Sequence, residues 1–132
     1  MSERNWLLFV EDILESVDLI ERYVRGTTLE QFRDDRKTVD AVVRNFEIIG
    51  EASKYIPDDV KRSHPETDWT GILGLRNRIA HEYFGVSTAI VWQIVVGDLP
   101  LLRERMQALL ADNRNMGGTA RDAAQAPRGE GN

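Results

Sequence analysis

The sequence contains no cysteine and only two histidines, His64 and His81. The first absence excludes disulfides, iron–sulfur clusters, thiolate zinc sites and a thiol nucleophile. The second excludes a metal site built from several histidines of one chain. No other metal motif occurs, so neither a metal nor a cofactor is expected. Long apolar runs are missing too. The longest, Ile90 to Val96, is interrupted by Gln93 and is too short to cross a bilayer. The opening residues, Met1-Ser2-Glu3-Arg4, lack the basic-then-apolar order of a signal peptide. A cytoplasmic chain with no membrane partner is the expectation. There is no glycine-rich phosphate loop, no internal repeat and no segment alternating with period two, so no strand is expected.

What is present is the composition of one globular domain: 132 residues, 42% hydrophobic and 30% charged. The net charge is −5, from 17 basic and 22 acidic residues. Residues 113 to 132 carry Arg114, Arg121 and Arg128 against Asp122 and Glu130, so residues 1 to 112 hold 14 basic and 20 acidic side chains. An acidic body argues against broad, unspecific nucleic-acid binding. It leaves room for a small basic cleft.

The apolar residues recur with helical spacing. Trp6, Val10, Ile13, Val17, Ile20 and Val24 follow one another at steps of four and three, which predicts a helix from about Arg4 to Arg25. Gly26 suits its C-terminus. Thr27-Thr28-Leu29-Glu30-Gln31 has the form of a capping box opening a short helix. Val39, Val42, Phe46, Ile49, Ser53 and Ile56 predict a second long helix from about Arg36 to Ile56, ended by Pro57, with Gly50 allowing close approach of a neighbour. Pro57-Asp58-Asp59 opens a short helical turn that His64-Pro65 closes. Asp68 caps a helix expected from Trp69 to Phe84. A last helix runs from Ser87 or Thr88 to about Asp112, with a kink or restart at Pro100. The expected fold is all-α: a four-helix bundle with short additional helices over residues 1–112, and a disordered tail over 113–132.

One segment departs from the apolar pattern. In the helix expected from Trp69, the stripe Trp69, Ile72, Ile79, Tyr83 lacks a member, and Arg76 stands in its place. Asn77 and His81 are four apart and neighbours on a helix. Taken singly, these residues have plain structural readings. Arg76 can pair with Glu47 or Glu51 of the preceding long helix, His81 can be a packed or surface histidine, and Tyr83 a core-edge aromatic. Arg78 and Glu82 read as a solvated ion pair, His64 as a structural loop residue, and Trp69 and Trp92 as core.

Together, Arg76-Asn77, His81 and Tyr83 form Arg-x4-His-x-Tyr. With Ile48-Ile49-Gly50-Glu51-Ala52, His64-Pro65, Trp92 and Asp98-Leu99-Pro100 around it, the chain resembles the HEPN superfamily and, within it, the HepT-like toxins. The resemblance spans most of residues 4 to 112. It implies a helical bundle that dimerises and cuts RNA without metal, with Arg76 and His81 as the catalytic pair and Asn77 supporting them. It also implies a partner, a minimal nucleotidyltransferase antitoxin of the MntA type, that transfers AMP to Tyr83. Some HEPN proteins bind nucleotide, RNA or protein without cleaving, which keeps a non-catalytic binding module open as the alternative. A further alternative is a chain whose sole role is to be modified by the nucleotidyltransferase.

The chemistry suits the residue types. Self-cleavage of RNA through its 2′-hydroxyl needs a proton acceptor, a proton donor and a cation beside the phosphorane. A histidine titrating near neutrality can do either proton transfer, and a guanidinium can hold the developing charge. A single chain offers one such histidine, so a homodimer or higher assembly that brings two copies of His81 together is expected.

Overall fold

A computed structural model describes residues 6–75, 77 and 88–125, with the side chains of the last helix as far as Asn113. Among these residues every regular element is helical, as the periodicity predicts. Helix α1 spans Trp6–Val24. Five of its six seam residues, from Trp6 to Ile20, are buried. It ends at Gly26, whose φ of +74° lies in the left-handed region that a side chain disfavours. The short α2, Leu29–Arg33, opens with the expected capping box: Gln31 N–H donates to Thr28 Oγ1 at 3.1 Å, and Thr28 N–H donates to Gln31 Oε1 at 3.0 Å. Its one buried residue, Phe32, is tilted against Trp92 at 5.2 Å between centroids.

Helix α3 spans Arg36–Ser53. Val39, Val42, Phe46, Ile49, Ser53 and Ile56 are all buried, as their spacing requires. The helix stops short of Ile56 because Ser53 Oγ donates to Gly50 O at 2.8 Å and the last turn tightens into i−3 bonds, from Lys54 to Glu51 and from Tyr55 to Ala52. Pro57 then holds the chain extended before α4, Asp58–Ser63, and α5, Trp69–Leu73. Helix α1 packs along α3, and α5 packs against α3 as well.

Two expected helices are interrupted. The helix opening at Trp69 was expected to run unbroken to Phe84. Its first hydrogen-bonded stretch ends at Leu73 with Gly74 as cap, since two glycines in the first turns weaken the helix; Leu75 and Asn77 are helical again. The last helix is divided as Pro100 demands. Helix α6, Thr88–Gln93, passes into a π-helical turn, Ile94–Asp98, where Leu99 N–H reaches back five residues to Ile94 O. Helix α7 then restarts at Leu99 and places Pro100 in its first turn, where a missing N–H costs nothing. α7 runs to Gln125 rather than ending near Asp112, so residues 113–125 of the expected tail lie in helical backbone. Extending a formed helix through residues such as Ala111, Ala120 and Ala123 adds one bond per residue without a new nucleus. The buried residues of α7 are Leu99, Leu102, Met106, Leu109 and Leu110.

Helix α7 is joined to α1 by charge as well as by packing. Arg103 lies 2.6 Å from Asp18 and also bonds Glu21. Burial works against its charge, but the hydrogen bonds it donates to the two carboxylates raise its pKa further. No helix among the described residues is long and apolar enough to cross a membrane.

At the start of α3, Asp35 accepts from Thr38 Oγ1 at 2.6 Å and from Thr38 N–H at 3.1 Å. These bonds hold its carboxyl below the usual carboxylate range. A depressed folded pKa means stability that is full above the unfolded value of about 3.9 and lost as pH falls through the folded value. Asp35→Asn should therefore flatten the acid limb of the stability profile below about pH 4, measured by urea denaturation at a series of pH values. An unchanged acid limb would remove Asp35 from that account.

Candidate functional site

The segment expected to carry chemistry begins at the loop before α5. His64 Nδ1 sits 3.0 Å from Val60 O, and Trp69 Nε1–H donates to His64 O at 3.0 Å. His64 Nε2 is 3.8 Å from Asp112 Oδ2 on α7. The ring thus ties α4, the loop and α7 together, the structural part its position suggested. Trp69 is half-buried against the core with the Lys61 ammonium 6.0 Å from its ring centre. Asp68 Oδ1 caps α5 by accepting from Gly71 N–H at 3.0 Å. A Cβ on Gly71 would stand 2.2 Å from Asp68 Oδ2, so a larger residue there requires the capping carboxylate to shift. Ile72 and Leu75, both buried, then anchor the chain against the core immediately before Arg76.

Of the predicted site residues, Asn77 is described: helical and exposed. Arg76, His81 and Tyr83 lie outside the described residues, as do Arg78 and Glu82. The two carboxylates expected to face Arg76 are on α3, part-exposed. Glu47 lies 3.5 Å from Arg44, and Glu51 lies 3.2 Å from Lys54.

Two hollows lie on this framework that hydrophobic spacing did not reveal. One, of about 410 Å³, lies between α1 and α3 and is bordered by Asp12, Arg44, Glu47 and Glu51, with Phe9 and Tyr55 stacked at 4.7 Å beside it. The other, of about 210 Å³, lies between the start of α5, the π turn and α7, and Arg105 lines it. An arginine flanking the Leu102–Met106 stripe reads as an ordinary snorkelling side chain, so no sequence signal marks Arg105.

A ribonuclease HepT-like family model matches residues 13–109. A Thermococcus cleftensis protein named as a probable ribonuclease HepT is 45% identical over 101 residues, covering 76% of this chain and 92% of that protein. A Methanocaldococcus jannaschii protein named as a presumptive RNase is 34% identical over 112 residues, covering 85% and 93%. Another presumptive RNase, from Caldanaerobacter subterraneus, is 34% identical over 102 residues, covering 77% and 91%. No solved structure gives a significant match. The chain belongs to the HepT-like ribonuclease family.

The cap of α5 can be tested alone. Asp68→Ala should remove the carboxylate that accepts from Gly71 N–H and cost about 1 kcal/mol, the usual loss for a side-chain cap, measured by thermal or urea unfolding. A variant as stable as the parent would show that the cap contributes nothing.

Proposed function

We propose that this member of the HepT-like ribonucleases is the toxin of a toxin–antitoxin pair: a metal-independent endoribonuclease acting on mRNA or tRNA in the cytoplasm. The observation that carries the reading is the order Arg76-Asn77-x3-His81-x-Tyr83 within the stretch that matches the family. In the proposed reaction the 2′-hydroxyl gives up its proton to one His81 and attacks the adjacent phosphorus. The bond to the 5′ oxygen breaks, and that oxygen takes a proton from the His81 of a second copy. Arg76 stabilises the phosphorane through its forked donors, and Asn77 supports the site. The products are a 2′,3′-cyclic phosphate and a 5′-hydroxyl end. A homodimer, or a higher assembly, supplies both histidines.

His81→Ala and Arg76→Ala should each lower RNA cleavage roughly a hundredfold or more while leaving the helical circular dichroism unchanged. Cleavage by the parent should survive EDTA and leave DNA intact. A folded His81→Ala protein with full activity would overturn the catalytic assignment, and activity lost to EDTA and restored by magnesium would overturn the metal-independent route. A folded parent chain that binds RNA and never cuts it would favour the binding-module alternative.

The regulatory part of the proposal concerns Tyr83, modified by an MntA-like nucleotidyltransferase. AMP on its hydroxyl would place a phosphodiester charge two residues from His81, where RNA phosphate must enter, and repel it. Tyr83→Phe should fold, cleave RNA and escape silencing by the partner with ATP and magnesium. Peptide mass spectrometry of the modified parent should find AMP on Tyr83. Modification confined to another residue, or a Tyr83→Phe chain silenced normally, would rule this out.

A further inference from the structure

The hollow beside α5 has a composition that packing alone does not require. Its walls include the buried Leu75, Ile94 and Leu99. The exposed carboxylates of Glu66 and Asp98 stand at its edge, and Arg105 lines it from α7. Arg105 Nε is buried and has no hydrogen-bond partner. Such a group is costly to leave unmet, so the Arg105 guanidinium stands in the wall of the hollow without a full set of internal partners. With Asp68 beside them, three carboxylates border the hollow and make it a poor host for phosphate, since like charges repel. A flat, neutral group bearing acceptors and donors on one edge fits all three features.

We propose that this hollow is a nucleobase subsite for the RNA substrate, best matched by a purine and most fully by guanine. Guanine O6 and N7 accept from an arginine, and the guanidinium of Arg105 is the cation that lines the hollow. Its N1–H and N2–H₂ groups donate, and Asp98 or Glu66 accepts. The apolar walls cover the ring faces. The place in the chain suits the role. Leu75 lines the hollow and directly precedes Arg76 in the sequence, so a base held here touches the residue after which the proposed catalytic motif begins. The π turn supplies Ile94 and Asp98 to the hollow, and such turns recur at functional sites. The inference rests on the ribonuclease reading, because it assigns the hollow to that substrate.

The test needs no cleavage. The full chain, labelled with ¹⁵N, is titrated with guanosine, adenosine, cytidine and uridine, none of which carries a phosphate. Guanosine should shift the Arg105 Nε–H signal, identified by its loss in Arg105→Lys, together with the Leu75 and Asp98 amides. Arg105→Lys keeps the charge and removes the Nε–H; it should weaken guanosine roughly tenfold. Should that variant misfold, Glu66→Gln at the exposed edge serves instead, with a smaller loss in the same direction. Signals unmoved by either purine would overturn the subsite. So would shifts produced by inorganic phosphate or by an arginine-rich peptide but not by nucleosides. RNA cut with the same base preference by parent and Arg105→Lys chains, with no nucleoside bound, would overturn the subsite and leave the ribonuclease reading standing. Guanosine bound as described by a folded parent that cuts no RNA would support the subsite and overturn the catalysis.

Discussion

The apolar seam between α1 and α3 is the constraint on which the other elements depend. Val10, Ile13, Val17 and Ile20 on one side and Val42, Phe46 and Ile49 on the other are wholly withdrawn from solvent. Helices of five or six residues do not persist alone. α2 and α5 each bury one residue within their bounds, and α4 buries none. α2 and α5 hold their shape because side-chain caps satisfy their N-termini and because α3 offers a surface to rest on, whereas α4 has no side-chain cap. The segment that leads into the proposed catalytic motif, Ile72 to Leu75, is therefore placed by α3 more than by its own helical tendency.

Pro100 exerts a second, local constraint. With no N–H to give and a ring that crowds the preceding turn, it cannot sit inside an unbroken α-helix. The chain widens to a π turn ahead of it and restarts at Leu99. The widened turn changes the facing of the residues that follow, and Ile94, Leu99 and Leu102 all remain buried across it. A straight helix with the same sequence would carry Asp98 and Arg105 on a different register relative to α5. The hollow they line is thus a consequence of one missing backbone donor. Downstream, Arg103 meets Asp18 and Glu21 and keeps the restarted helix aligned on α1. A part-exposed pair of this kind aligns helices more than it stabilises them.

Much of the fold was legible because burial and helix periodicity are tied. The six-residue stripe of α3 is buried throughout, and the Thr28–Gln31 box forms as its sequence states. The break at Gly74 was harder to foresee: Gly71 and Gly74 cost helix stability, but whether a helix yields depends on what the neighbouring turns pack against. The extension to Gln125 escaped for the opposite reason, since a polar, glycine-containing stretch can continue a helix that is already nucleated. In the site, the order Arg76, Asn77, His81, Tyr83 was legible as a motif and its spatial assembly was not. Five residues turn an ideal helix by about 140° beyond one full revolution, so a spacing of five does not by itself bring an arginine and a histidine onto one face. Arg105 left no trace in the sequence, because a cation beside an apolar stripe is the commonest helix pattern.

The charge of the chain sharpens how RNA must be held. Residues 1 to 112 carry 20 acidic against 14 basic side chains, so a phosphate backbone meets little general attraction. The cations near the two hollows, Arg44 and Arg105, each stand among carboxylates. A protein of this kind gains little from counterion release, the main source of unspecific RNA affinity. Under the proposed reading its affinity comes from a few directed contacts: a guanidinium at the scissile phosphate and a base taken out of water against apolar walls. Acidic surroundings then act as a filter. They weaken every register in which a phosphate lies over Glu66 or Asp98, and leave those in which an uncharged base does. An acidic ribonuclease is on this account not a contradiction, but one that trades affinity for register.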